Sequence, residues 1–460
     1  MYKLSTGLGF YNDLLDELKL FTQYYDGAEI NVDGALSGVF SCTVRIADKF
    51  YGFESQPTEA DANKAYKRFA KHSLYLALSA YYGADLPWGS LTGIRPTKLA
   101  YEFLHAEGTY DGIAAYLQNE FSVSKRKSRT VGRILRAQRG CVTDIDGKVD
   151  LYVHVPFCDG RCSYCSFPSA DVNRHGGLLD DYVNALLREI SSIKRLIKEQ
   201  NKEILSVYVG GGTPSVLSPG QLARLLAAIN CRGVEFTFEA GRPDSVTAEK
   251  LAVLKEGGVT RVCINPQSLN DKTLTAIGRR HTSADFFKAY ELTAAAGFTV
   301  NTDLIAGLQG ETFADFAYSL NAVAELMPDN ITVHTLSRKR GSELAESVLA
   351  CGEIEKMMDY AYERLGLYEP YYLYRQKYMV GNLENVGFCL PGKECVNNIT
   401  VMEELLSVYA CGAASISKNV AGASISRHAS PKDVALYLAQ FEERLARKVG
   451  FLNGNCGEKA

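Results

Sequence analysis

From residue 151 onward the chain settles into an alternation of strands and helices that few folds can satisfy. Short β-branched and aromatic runs at 151–156, 204–209, 234–239, 260–265, 299–305 and 331–336 are separated by stretches of helical period. Strands spaced this way need crossover connections, so they lie parallel in one sheet with helices packed against it. Six such units fall short of the eight that close a barrel. The expectation is therefore an α/β fold, a partial (βα)6 barrel of TIM-like type with an open side. Helical stretches fall near 178–198, 270–278 and 283–296 and after Glu311, and two more are punctuated at their starts. One is capped by Ser218 with Pro219 in its first turn, and the other opens at Thr247.

A barrel of this kind carries its chemistry on loops at the C-terminal ends of its strands. Polar and glycine residues gather there. After strand one come three cysteines, and after strand two the run Gly210-Gly211-Gly212-Thr213-Pro214. Glu239 ends strand three, Gln267 lies beyond strand four, and Asp303 sits within strand five. Taken singly, a triple glycine is a tight turn and a buried acid is a structural group. Their arrival at one rim on five successive strands points to a site.

The first loop is the most specific part of that rim. In LYVHVPFCDGRCSYCS, Leu151 to Ser166, Pro156 ends the strand and a loop with Gly160 follows, carrying Cys158, Cys162 and Cys165. Three soft thiolates at such spacing are ligands for a metal ion or an iron–sulfur cluster. Zinc stays open as an alternative, with His154 as a fourth ligand, although its place two residues before Pro156 makes convergence awkward. A disulfide reading is poor, because three cysteines pair unevenly and the N-terminus has no secretory pattern.

Composition bounds the rest. At 460 residues, 46% of them apolar, the chain can fill more than one core, and a net charge of −3 does not nominate nucleic acid as a partner. No apolar run approaches a membrane span, and nine further scattered cysteines read as buried thiols of a reducing, cytoplasmic compartment. Residues 1–147 read as an α+β domain: a helix over Asn12 to Tyr25, short strands from Glu29 to Phe53, and a long helix from a Thr58 cap to Tyr82. Two features there attract attention. Trp88, the only tryptophan, sits in a turn-rich segment and reads as a packed structural loop. The basic run from Lys125 to Arg139 reads as a solvated helix face, the alternative being a patch for an anionic substrate or RNA. The barrel is assigned 148–340, and 341–460 a C-terminal extension, mostly helical.

The C-x-x-x-C-x-x-C loop after the first strand resembles the cluster motif of the radical S-adenosylmethionine (SAM) superfamily. The blocks VYVGGGTPSVL, FEAGRPDSVT, INPQSLNDKTLTAIGRRHT and NTDLIAGLQGET bring the resemblance closer, to the oxygen-independent coproporphyrinogen III dehydrogenase group. ITVHTLSRKRGSEL, PYYLYRQKYMVGNLENVGF, YACGAASISK and the N-terminal LTGIRPTKL resemble its HemZ subgroup. The resemblance implies a [4Fe–4S] cluster on Cys158, Cys162 and Cys165 and one SAM molecule, or two. It implies SAM contacts from Tyr152, Tyr164, Gly211, Gly212, Thr213, Glu239, Gln267, Arg279 and Asp303.

The implied reaction is oxidative decarboxylation of two propionates of coproporphyrinogen III to vinyl groups, giving protoporphyrinogen IX, with an electron donor and an electron acceptor both unidentified. Arg338, Lys339, Arg340, Arg375 and Lys377 are the candidates, by charge and placement, to hold a tetra-anionic tetrapyrrole. One departure stands out. The group's C-x-C ending becomes Cys165-Ser166-Phe167 here. Phenylalanine at that place also occurs in relatives that act as haem chaperones or haem-modifying enzymes, so a radical SAM haem methyltransferase or ring-opening enzyme, or a haem-binding chaperone, is the alternative.

Overall fold

The structure, a computed structural model, describes residues 2–37, 39–56, 61–93, 95–106, 108–337, 351–376, 379–422 and 424–454. The chain divides into two units, Met1–Arg136 and Ala137–Ala460.

In the first unit β1 (Lys3–Thr6), β2 (Glu29–Ser37), β3 (Val39–Ile46) and β4 (Lys49–Ser55) form one sheet in that order. β1 runs parallel to β2, and the other pairs are antiparallel. One face is apolar by simple alternation, with Val32, Val44 and Ile46 buried against α1 (Tyr11–Lys19) and α2 (Ala62–Tyr82) through Leu14, Leu18 and Leu74. α2 starts three residues later than a cap at Thr58 would place it, Thr58 itself lying outside the described residues. Asp61 caps it instead, accepting from the backbone N–H groups of Asn63 and Lys64. α3 (Pro96–His105), α4 (Ile113–Phe121) and α5 (Lys125–Gln138) complete the unit. Trp88 is fully buried, as a structural loop requires. On α5 the apolar Val131, Ile134 and Leu135 are buried while Arg129, Arg133 and Arg136 are exposed, as on a solvated basic face, but Lys127 of the same run is buried.

The second unit carries the alternation. Its strands are β5 (Lys148–Val155), β6 (Glu203–Gly211), β7 (Glu235–Glu239), β8 (Arg261–Cys263), β9 (Thr299–Ala306) and β10 (Asn330–Thr335), each hydrogen-bonded in parallel to the next. Between them run α6 (Leu179–Glu199), α7 (Pro219–Ile229), α8 (Ala248–Glu256), α9 (Asp271–Ala276), α10 (Ser283–Ala295) and α11 (Phe313–Glu325). Ser218 and Gln221 close a reciprocal capping box on α7, and Thr282 with Asp285 and Thr312 with Asp315 do the same on α10 and α11. Each such cap is worth about 1 kcal/mol. Strand six does not pair with strand one, so the barrel stays open.

Residues beyond 340 depart from the expectation of a separate, mostly helical extension. α12 (Cys351–Arg364) leads to β11 (Glu369–Tyr374) and β12 (Asn385–Cys389), then α13 (Val396–Glu403), β13 (Ser407–Cys411), β14 (Ile416–Ala421) and β15 (Ser424–Ala429), closing with α14 (Val434–Ala439) and α15 (Phe441–Leu452). These five strands extend the same sheet at both edges, β12 against β10 and β13 against β5, giving the order β11-β12-β10-β9-β8-β7-β6-β5-β13-β14-β15. Parallel edges left bare would expose unpaired N–H and C=O groups, and the flanking strands cover them. The unit also begins before the expected boundary at 148, because Ala137, Cys141 and Val142 pack on Tyr371, Cys389 and Ile399. No helix among the described residues is long and apolar enough to cross a membrane.

Candidate functional site

The cysteine loop is fastened at both ends. β5 stops at Val155, Pro156 turns the chain, and Phe157–Cys158 then pairs with Ala170–Asp171 in a two-residue parallel ladder. The Ala170 N–H donates to the Pro156 carbonyl at 2.7 Å. Within the loop the Cys165 N–H donates to the Cys162 carbonyl at 3.0 Å, and the Ser163 N–H reaches the Ile277 carbonyl at 3.1 Å. All three thiols are half-buried. Burial pushes the Cys158 and Cys165 thiols up, and the nearness of Cys162 adds to it in both. Cys158, Cys162 and Cys165 thus bring three thiols to the volume beside one short loop.

That volume is not a zinc site built with His154. The His154 Nδ1 meets the Tyr152 hydroxyl at 3.0 Å on the barrel side, and burial lowers its pKa to about 4. Among the described residues no three His, Cys, Asp or Glu side chains close on a single ion. A cubane asks for something different, since each thiolate takes its own iron.

The glycine loop lies directly against the cysteines. The Gly212 N–H donates to the Val155 carbonyl at 2.9 Å and the Thr213 N–H to the Phe157 carbonyl at 2.7 Å, while the Thr213 hydroxyl donates to Cys158 Sγ at 3.4 Å. Gly211 has a φ of +122°, which an L side chain rarely adopts. A Cβ on Gly212 would stand 2.6 Å from the Phe157 carbonyl oxygen and 2.8 Å from Cys158 Sγ. Only a bare backbone fits in the space beside the Cys158 thiol.

Around that space the rim residues meet. The Tyr208 hydroxyl donates to Glu239 Oε1 at 3.0 Å, and His334 Nε2 lies 3.4 Å from Asp303 Oδ2. Burial, reinforced by Asp303, pushes the Glu239 carboxyl up to about 7. Tyr152 lies beside Tyr208, ring centroids 6.1 Å apart, and Tyr164 neighbours both Cys162 and Arg279. Gln267 is held at φ +69° by the Asp303 carbonyl and the Ile305 N–H, each at 3.0 Å. The Arg279 Nη atoms donate to the carbonyls of Asn265 and Gly241, the latter at 3.1 Å.

Several buried polar atoms here have no protein partner: Gln267 Oε1, Asn265 Oδ1, Arg279 Nε and Arg242 Nη1. Native interiors rarely leave such groups unpaired, so orphaned donors and acceptors beside three thiols describe the lining of a ligand site. The basic candidates fare differently. Arg375 is buried and donates both to the carbonyl and to the side chain of Asn382. Arg338, Lys339, Arg340 and Lys377 lie outside the described residues. Two members of the site escaped the sequence reading, His334 and Arg242. His334 was legible as an inward position of strand six, and Arg242 stands in the quoted block FEAGRPDSVT with nothing local to mark it.

A sequence profile of the Radical SAM superfamily matches residues 152–323. The oxygen-independent coproporphyrinogen-III oxidase-like protein HemZ of Bacillus subtilis is 37% identical over 421 residues, 87% of this chain and 84% of that protein. The chain belongs to the HemN/HemZ branch of the radical SAM superfamily. The haem chaperone HemW of Bacillus subtilis is 35% identical over 192 residues, but the match takes in 40% of this chain and 49% of HemW. Among solved structures, coproporphyrinogen III oxidase HemN of Escherichia coli aligns with a TM-score of 0.53 at 21% identity, over 68% of this chain and 72% of HemN, which is a likeness of fold. Radical SAM proteins use a [4Fe–4S] cluster and SAM. The residues fit both groups. Three clustered thiols supply iron ligands and leave one iron of a cubane open, and the glycine backbone and orphaned polar atoms supply hydrogen bonds for a zwitterionic nucleoside.

Proposed function

We propose that this chain is an oxygen-independent coproporphyrinogen III dehydrogenase of the cytoplasm, converting two propionates to vinyl groups. The observation that carries this reading is the extent of the HemZ similarity. It runs through 87% of the chain, whereas the HemW similarity takes in 40%. In this reading Cys158, Cys162 and Cys165 hold the cluster. The Gly211–Thr213 backbone, Glu239, Gln267, Arg279 and Asp303 hold SAM, flanked by Tyr152 and Tyr164. The cluster and SAM, held there, would supply radical hydrogen abstraction from the propionate β-carbon, and the electron left on the substrate after loss of carbon dioxide would pass to an external acceptor.

The chain's own groups set the conditions for that chemistry. Burial raises the Glu239 carboxyl to about 7, so its protonated form is accessible near neutral pH and it can present a donor or an acceptor to a cofactor hydroxyl. Arg279, buried and carbonyl-held, brings a fixed positive charge beside Cys162. Leu274, Ile277, Ile305, Leu308 and Leu336 form an apolar cluster on which Tyr164 packs, and it would help to exclude water beside the cysteine loop.

The second reading, a haem-binding chaperone or a radical SAM enzyme acting on haem, is favoured by the Cys165-Ser166-Phe167 ending and by the HemW similarity. One anaerobic assay separates them. Reconstituted protein, reductant and SAM are incubated with coproporphyrinogen III or with haem, following 5'-deoxyadenosine, carbon dioxide and S-adenosylhomocysteine. Vinyl product with stoichiometric deoxyadenosine supports the dehydrogenase. S-adenosylhomocysteine formed only with haem, or tight haem binding without SAM turnover, overturns it.

A further inference from the structure

Arg242 is a buried cation without an acid. Its side chain is 3% exposed, Nη2 lies 3.3 Å from the Gly160 carbonyl and 3.7 Å from Cys162 Sγ, and Nη1 is buried with no partner. Arg279 lies against the same sulfur, 8% exposed, with its Nε also unpartnered. Among the described residues neither guanidinium forms an ion pair with a carboxylate. Arginine is almost never buried unpaired, because removing its charge from water costs several kcal/mol. Two such groups on one sulfur require an anion at that place.

The backbone leaves Arg242 little choice of direction. Its N–H donates to the Ala240 carbonyl at 2.7 Å, and its own carbonyl accepts from the Ser245 N–H at 3.2 Å and the Ser245 hydroxyl at 2.6 Å. Pro243, also buried, follows it. The side chain is thereby aimed from the end of β7 across to the crest of the cysteine loop at Gly160.

We infer that Arg242 is a positioning residue that pins the loop at Gly160 and raises the reduction potential of the cluster by donating to the Cys162 sulfur. The inference rests on a cluster being held by Cys158, Cys162 and Cys165. A cubane core with two positive charges on three thiolates is a monoanion, and one-electron reduction makes it a dianion. A fixed cation at one sulfur stabilises the dianion more than the monoanion, and N–H···S contacts act in the same direction. The electron comes from any external one-electron reductant.

The test compares wild type with Arg242→Gln and Arg242→Lys after anaerobic reconstitution, reading iron and sulfide content first and the midpoint potential by spectroelectrochemistry second. Arg242→Gln loads the cluster and its potential moves to more negative values. At a poise where wild type is half reduced, its reduced-to-oxidised ratio falls about tenfold, which is 59 mV for a one-electron couple. Arg242→Lys keeps the charge and loses the fork, so it shifts in the same direction by less. A fully loaded Arg242→Gln with wild-type potential overturns the inference. Should that variant load no iron, the lysine variant decides: a smaller negative shift upholds the inference and an unchanged potential refutes it. Failure of the wild type itself to bind iron would instead refute the cluster assignment.

Discussion

Gly212→Ala is the substitution that tests the site most directly, because its effect is steric and local. The added Cβ would stand 2.6 Å from the Phe157 carbonyl oxygen and 2.8 Å from Cys158 Sγ, where ordinary contact begins at 3.4 Å. Gly212 does not have a positive φ, so backbone strain contributes nothing to the outcome. To admit the methyl group, the Cys158 sulfur must retreat by about 0.6 Å and the Phe157 carbonyl by about 0.8 Å, several times the ~0.2 Å that a metal–ligand distance tolerates. The carbonyl has little freedom to do so, since it accepts the Thr213 N–H at 2.7 Å. Overpacking of this size costs about 1–3 kcal/mol, which a fold of this size survives. The expected result is a protein with wild-type far-ultraviolet circular dichroism but iron affinity lower by about tenfold or more. Gly220→Ala is the control: it lies in the first turn of α7, nothing stands within 4 Å of its Cβ, and its iron content should equal that of wild type. A Gly212→Ala protein that reconstitutes to the same iron and sulfide content as wild type would refute the argument that this loop abuts a cluster ligand.

Three further outcomes follow from the same geometry. Changing Cys158, Cys162 and Cys165 together to Ala should abolish the visible absorbance of the reconstituted protein, and an intact cluster spectrum would overturn the ligand assignment. Glu239 has a folded pKa of about 7, above its usual 4.5, so the wild type carries no penalty below about 4.5 and loses stability as pH rises to 7. That loss is at most about 3 kcal/mol and nearer half of it for a side chain partly open to the mouth; Glu239→Gln should gain on wild type in melting temperature between pH 5 and 8, and parallel curves would count against the shift. Lys448 and Glu189 form an ion pair whose side chains are 2% and 3% exposed, and Glu189 also accepts from the Gly412 N–H and the Tyr437 hydroxyl. Lys448→Met should therefore cost about 3–5 kcal/mol in urea unfolding, partly regained when Glu189→Gln is added, and a loss below about 1 kcal/mol would show that the pair is not desolvated.

The parts of the fold legible in the sequence are those governed by near neighbours. Strand six was expected at 331–336 and runs Asn330–Thr335; Ser218 and Thr247 cap the helices they were read as capping. Strand four shows the limit. It was read as 260–265 but ends at Cys263, and the chain bridges β9 again only at Gln267, which is held at φ +69°. The C-terminal strands were missed for a different reason. Glu369–Tyr374 and Ser407–Cys411 are five or six residues long and buried throughout most of their length, so they show no alternation, and their partners lie at opposite edges of the sheet.

The site divides along the same line. The thiol loop, the glycine turn and the acids at strand ends could be read in order along the chain, because a parallel sheet delivers the C-terminal ends of its strands to one rim. The partner of each side chain could not. Arg242 reaches Cys162 across 80 positions, and His334 meets Asp303 through the pairing of two strands. Arg375 was read as a substrate-facing cation from its charge and lies buried against Asn382. By itself the sequence determined which residue types arrive at the rim, since spacing and capping act over a few residues. Only the tertiary structure decided which of them are desolvated and left unpaired, because burial depends on every element packed around them, and that is what marks Arg242, Arg279 and Gln267 as the lining of a site.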